Sequence, residues 1–158
     1  EAWEILWKKY KNEKSKLQYD LLLAPHHCSW HTLSHDSYKN SKDPQVSGDA
    51  RSALSQARTG AVIIASSNPV KNDKNDPPNY GAKLEYEDIV EDHQGQFCCL
   101  ADNIESKNKA PSVLTYKLTN EGPQLEKKIA NTSDSNVSKR NTATTALFSG
   151  SGEAIGHG

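Results

Sequence analysis

The sequence predicts an α/β fold in which helices alternate with strands buried on both faces. Three observations carry this. Ala61-Val62-Ile63-Ile64-Ala65 is a continuous apolar run, the pattern of a strand covered on both sides. Tyr19-Asp20-Leu21-Leu22-Leu23-Ala24, stopped by Pro25, reads the same way. Between and around these runs lie segments with helical spacing, giving the order helix, strand, helix, strand, helix, strand, strand and tail.

Each element has its own signature. Trp3, Leu6, Trp7 and Tyr10 fall at i, i+3, i+4 and i+7, among Glu4, Lys8, Lys9 and Lys11. That is one face of a helix, expected over Glu1 to Leu17 with both tryptophans packed on the core. The Asp20–Ala24 strand is expected to be central and almost fully buried. Ser34 to Ser47 is polar, holds Pro44 and reads as loop. Ser47 can cap a helix through Ala50, Ala53, Leu54 and Ala57, which Gly60 would end. The Ala61–Ala65 strand follows. Ser66 to Asn79 holds three prolines with several Asn and Asp residues, so it is loop. Asn79 can cap a third helix carrying Leu84, Tyr86, Ile89, Val90 and His93, closed by Gly95. Gln96 to Ala101 is a third strand. Val113 to Thr119 alternates, so this strand has one wet face, and Asn120-Glu121-Gly122-Pro123 is a turn. After Leu125 the composition shifts. Residues 1–125 form the expected layered domain, and 126–158 a polar flexible tail ending in glycines, docked at most through Leu147 and Phe148.

Composition excludes several function classes. Lys plus Arg is 19 against 20 for Asp plus Glu, a net charge of -1, which argues against a broad electrostatic grip on nucleic acid or an anionic membrane. No stretch approaches the roughly 18 consecutive apolar residues of a membrane span, so no membrane partner is expected. The cysteines are Cys28, Cys98 and Cys99. Their odd number and the adjacency of two of them argue for free thiols rather than a disulfide framework. A cytoplasmic protein without a secretory leader is the expectation.

His26 and His27 follow a buried strand directly, at its carboxyl end. In open α/β sheets ligands and catalytic groups collect at that edge. A neutral imidazole there can hold a metal ion, and Ser29 can orient a ring or an oxyanion. His31, His35 and Asp36 add supporting groups. Adjacent histidines also serve as plain polar loop residues, and their side chains diverge. Asp20, His93 and Asp102 are too scattered along the chain to make a second ligand cluster.

The run from Tyr19 through Pro25-His26-His27-Cys28-Ser29 resembles the D-apolar-apolar-x-x-P-H-H-G-S pattern of metallo-β-lactamase-fold hydrolases. It is most similar to the branch containing the hydrolase domain of the competence DNA-uptake channel. The resemblance extends over roughly Glu1 to Ala101, through the Ala61–Ala65 strand, the loop from Asn68-Pro69 to Pro77-Pro78-Asn79-Tyr80, the Ala82–Val90 helix and the Phe97–Leu100 strand. It implies the C-terminal half of an αββα sandwich, in which His26 or His27 supplies the last metal ligand. The bridging Asp and the H-x-H-x-D-H signature of that family would both precede Glu1. Cys28 departs from the family's Gly.

The resemblance further implies a divalent metal, zinc or else manganese or iron, and a metal-activated water acting on a phosphodiester or related ester bond. Ser29 and Tyr80 become candidates for substrate contact, and Lys83 for an anionic group. A nucleic-acid or nucleotide substrate is compatible with that branch. The chain alone would be inactive, would pair with the missing N-terminal half, and would otherwise self-associate through its unpaired strand. Two alternatives stand beside this one: a non-catalytic protein-interaction module, and a degenerate hydrolase that kept the fold.

Overall fold

The computed structural model describes residues 2–103 and 113–129. The expected tail from Asn131 onward, with Leu147 and Phe148, lies outside the described residues. Within them the protein is mixed α/β. The elements are α1 (Ala2–Tyr10), β1 (Tyr19–Leu23), α2 (Gly48–Leu54), β2 (Ala57–Ala65), α3 (Tyr80–Glu91), β3 (Gln96–Cys99), β4 (Val113–Thr119) and β5 (Gly122–Ile129). Short 3-10 turns occupy Lys14–Leu17, Pro25–His27, Trp30–Thr32 and Leu100–Asn103.

Strands β1, β2 and β3 form a parallel sheet in that spatial order, and β4 and β5 pair as a separate antiparallel hairpin. Leu22 lies opposite Ile63, and Ile63 opposite Phe97. This row faces the helices, because Phe97 stacks on Tyr86 of α3 at 6.3 Å between ring centroids. Leu54 of α2 and Tyr86, Ile89 and Val90 of α3 join Ile63 in one core cluster. Strand alternation turns the neighbouring row, Leu21, Val62, Ile64, Leu23 and Cys98, to the other face.

That second face is covered unevenly. The β4–β5 hairpin seats against β2 where Gly60, at φ +74°, meets Gly122, at φ +99°. A Cβ on Gly60 would lie 2.9 Å from the Glu121 carbonyl oxygen, so strand and hairpin can meet this closely only with glycine there. Val62 is fully buried, and Tyr116 lies beside Cys98, so this face is covered there. Leu21 and Leu23 of β1 remain 38% and 68% exposed.

This corrects the expectation for Asp20–Ala24. The strand is at the edge of the sheet, β2 is central, and the continuous apolar run reflects one covered face and one open apolar face. Several boundaries also move: the third strand stops at Cys99, with Leu100–Asn103 a 3-10 turn, and the third helix stops at Glu91, short of His93. The first helix stops at Tyr10, and Lys14–Leu17 is a separate 3-10 turn. The Ser47-capped helix stops at Leu54, so Ala57 and Gly60 belong to β2, where Gly60 N–H donates to the His93 carbonyl at 2.9 Å. Strand β5 runs to Ile129, across the compositional boundary at Leu125. The Ser47 and Asn79 caps are as expected: their side-chain oxygens accept from Ala50 N–H and Ala82 N–H.

Helix α1 has no fully buried residue, and Trp3 is only half-buried against the core. Polar contacts help hold it. Glu4 Oε1 accepts from the Ser47 hydroxyl at 2.5 Å and from His35 Nε2 at 2.8 Å. The Ser47 hydroxyl, and after it His35, hold the Glu4 carboxyl below its ordinary range. Arg51 of α2 bridges Glu85 and Asp88 of α3. No helix among the described residues is long and apolar enough to cross a membrane.

Two glycines separate packing from propensity. A Cβ on Gly95 would sit 2.2 Å from the Ala61 carbonyl oxygen of the central strand, whereas one on Gly48 meets nothing within 4 Å. Gly95→Ala should destabilise by about 2 kcal/mol or more through overpacking. Gly48→Ala, at the start of α2, should be neutral or stabilise by up to about 1 kcal/mol. Urea titration of both variants checks this ordering.

Candidate functional site

The site is built where β1 and β2 end side by side. The Ala24 amide still pairs with the Ile64 carbonyl at 2.8 Å, continuing the ladder one step past β1. Pro25 then turns the chain. His26, His27 and Cys28 follow with φ of +47°, +58° and +68°, three consecutive side-chain-bearing residues in the left-handed region. Each such residue costs about 1 kcal/mol or more. The turn closes through Cys28 N–H to the Pro25 carbonyl at 3.2 Å.

The consequence is a pair of exposed imidazoles at the rim, their centroids 6.3 Å apart and their planes tilted by 50°. His27 Nδ1 lies 2.5 Å from the carbonyl oxygen of Ser66, the first residue after β2. A carbonyl only accepts, so Nδ1 carries the proton and donates. In the neutral ring Nε2 then has the free lone pair. A backbone carbonyl on one ring nitrogen is the arrangement that fixes a ligating or proton-accepting histidine.

The segment behind the histidines is anchored in the core. Cys28 and Asn79 are fully buried, and Asn79 N–H donates to the Cys28 carbonyl at 2.9 Å. Cys28 Sγ points at the Asn79 carbonyl at 3.8 Å. Burial, and to a lesser degree the neighbouring Cys99, push the Cys28 thiol up to about 12. It is a packing group, not a nucleophile. Its left-handed backbone explains why a Gly suits this position in the pattern it resembles. Cys28 is a free thiol.

The remaining sequence-predicted residues fare differently. Ser29 is buried, and its Oγ accepts His31 N–H at 3.3 Å as the cap of the Trp30–Thr32 turn. That is a capping role facing the interior. Tyr80 and Lys83 lie half-buried in the first turn of α3, whose N-terminus abuts Cys28. Lys83 is near enough to Cys28 to favour its thiolate, and it pairs with Glu87 at 3.6 Å. The geometry therefore keeps His26 and His27 exposed at the rim, turns Ser29 inward, and places Lys83 within electrostatic reach of Cys28. His31 and His35 instead rim a neighbouring cleft of about 620 Å3, with Trp3, Leu6 and Pro25 among its apolar lining.

Sequence reasoning missed Ser66 and Asp76. Ser66 acts through its backbone, which leaves no residue-type signal. Asp76 accepts Trp30 N–H at 3.0 Å across 46 residues of chain. Among the described residues, no group of three or more His, Cys, Asp or Glu side chains could hold a metal ion.

Comparison with family models, with curated proteins and with solved structures finds no match to this chain. Fold and site therefore rest on residues and geometry.

Thiol labelling tests the role given to Cys28. At pH 8 a neutral alkylating reagent should leave Cys28 unmodified in the native protein and modify it in denaturant. Rapid native labelling of Cys28 would show a reactive thiol instead.

Proposed function

We propose that this chain is the C-terminal half of a metal-dependent hydrolase of the metallo-β-lactamase type, acting on a phosphodiester or related ester. The observation that carries the reading is the strained turn at the sheet's carboxyl edge, with His27 Nδ1 tied to the Ser66 carbonyl. Strain of this kind persists where surrounding structure over-determines it, and it clusters at functional sites. The bond favours His27 over His26 as the ligand, through Nε2. His26, beside it and exposed on the rim, is assigned to contact with the substrate or its leaving group.

The donor set fits a divalent ion in part. His27 has the tautomer a ligand needs, yet a working site takes three or four ligands. In this reading the rest come from the other half of the sandwich. Zinc is the first candidate, with manganese or iron behind it. The chemistry such an ion supplies is a water activated near neutral pH and a polarised ester oxygen.

This chain's own residues do the positioning. The β1–β2 ladder fixes the base of the turn, and the Ser66 carbonyl sets the His27 tautomer. Lys83 offers a positive charge to an anionic group, and Tyr80 a ring at the mouth. Ser29 caps the Trp30–Thr32 turn that follows. The sheet supports the same reading: the face that bears no helix among the described residues carries Leu21 and Leu23 in the open, as one face of a sheet-on-sheet interior would. The proposed protein partner is thus the N-terminal half of the same fold, with self-association as its substitute. A nucleotide or nucleic-acid substrate, and a cytoplasmic location, belong to the same proposal.

The test uses the full-length protein expressed with whatever precedes Glu1 in its gene. Metal analysis should find about one or two equivalents of zinc, manganese or iron per chain. His27→Gln should lower metal affinity by more than the roughly 10–100-fold that loss of a supporting partner costs. It should also abolish hydrolysis of bis(4-nitrophenyl) phosphate, while His26→Gln keeps the metal. A metal-free full-length protein would favour the interaction module. Bound metal without hydrolysis would favour a degenerate hydrolase.

A further inference from the structure

We propose that Asp76 is the positioning residue of the histidine turn: its carboxylate holds the downstream end of the left-handed segment and so aims His27. The inference rests, for its functional meaning, on His27 being the working imidazole.

The turn has two ends. Upstream it is fixed by the Ala24 amide on the Ile64 carbonyl at 2.8 Å. Downstream it passes through Ser29 to Trp30, and there the loop between β2 and α3 takes hold. Asp76 Oδ1 accepts the Trp30 amide at 3.0 Å, and Oδ2 lies 3.9 Å from His31 Nε2. Asn79, in the same loop, gives its backbone amide to the Cys28 carbonyl at 2.9 Å. The side chain of Asn79 is engaged elsewhere: Oδ1 accepts from Ala82 N–H at 3.0 Å, and Nδ2 donates to the Asn75 carbonyl at 3.3 Å. Asp76 therefore contributes the loop's side-chain bond to this segment.

The geometry makes that bond matter. Three consecutive residues sit in a backbone region that L-residues leave when free to do so. Relaxation of any one of them would rotate the chain at His27 and draw Nδ1 away from Ser66. Trp30 is itself buried and packs against Tyr38 at 5.0 Å between centroids, the ring planes tilted by 58°. Fixing its amide therefore transmits the rigidity of the core to the turn. The carboxylate is only 15% exposed, so its hydrogen bond competes weakly with water.

The experiment reads the His27 ring nitrogens by two-bond proton–nitrogen correlation in the 158-residue chain, without metal or substrate. The wild type should show the Nδ1–H tautomer predominantly. Asp76→Ala should lose that predominance and move toward the Nε2–H form favoured by a free imidazole. Asp76→Asn, whose amide oxygen can accept the same Trp30 bond, should restore the wild-type tautomer. Asp76→Glu, which keeps the charge but overshoots the amide, should behave like Asp76→Ala, and it decides the question if the alanine variant does not fold. A wild-type tautomer in folded Asp76→Ala or Asp76→Glu would overturn the proposal. So would Asp76→Asn shifting as far as the alanine variant, because charge and not the bond would then be responsible. An inert His27 in the full-length hydrolysis assay would sink the metallohydrolase reading and leave this positioning intact.

Discussion

The handedness of parallel connections governs this structure. A crossover between neighbouring parallel strands is almost always right-handed. When three strands follow one another in the order β1-β2-β3, both crossover helices must land on the same face. Here α2 and α3 do so, sharing one core with Ile63. The opposite face is left to whatever else is available, and within the described residues that is the β4–β5 hairpin. It reaches β2 and leaves the two leucines of β1 open. The same arrangement brings the ends of β1 and β2 side by side, which is why the His27 ring and the Ser66 carbonyl meet.

At that shared edge, local and global preferences conflict. Three side-chain-bearing residues adopt backbone angles that a free chain avoids. The conflict is resolved by bonds from the surrounding loop and strand, and by burial of Cys28 and Trp30 behind the turn. Such a segment fixes the backbone from which both imidazoles project, and the Ser66 carbonyl holds the His27 ring. A relaxed loop with the same two histidines would present an ensemble of orientations and pay an ordering cost on binding a ligand.

Much of the fold was legible in the sequence because its signals are local. Ser47 and Asn79 announce their helices through cap chemistry, and Val62-Ile63-Ile64 marks a buried strand by composition, though not its central place in the sheet. The rim position of His26 and His27 follows from Pro25 ending a strand. What was not legible depends on partners distant in the chain. An apolar run such as Leu21-Leu22-Leu23 has the same composition whether its second face is covered or waiting to be covered. Gly60 ends helices as readily as it bends strands, and only its contact with Glu121 and Gly122 decides. Strand β5 carries Lys and Glu on a wet hairpin, which composition alone cannot separate from a tail. The Ser66 carbonyl and the Asp76–Trp30 bond leave no periodic trace at all.

The central proposal is that the sheet face without a helix among the described residues is an interior face awaiting a second layer. Methyl NMR with a soluble paramagnetic probe tests it most directly, comparing Leu21 and Leu23 in the 158-residue chain and in the full-length protein. Strong broadening of both leucines in the chain, lost in the full-length protein while exposed Leu84 on α3 stays broadened in both, is the predicted result. Equal broadening of Leu21 and Leu23 in the two proteins would contradict it, because the face would then be an ordinary surface and β1 a finished edge.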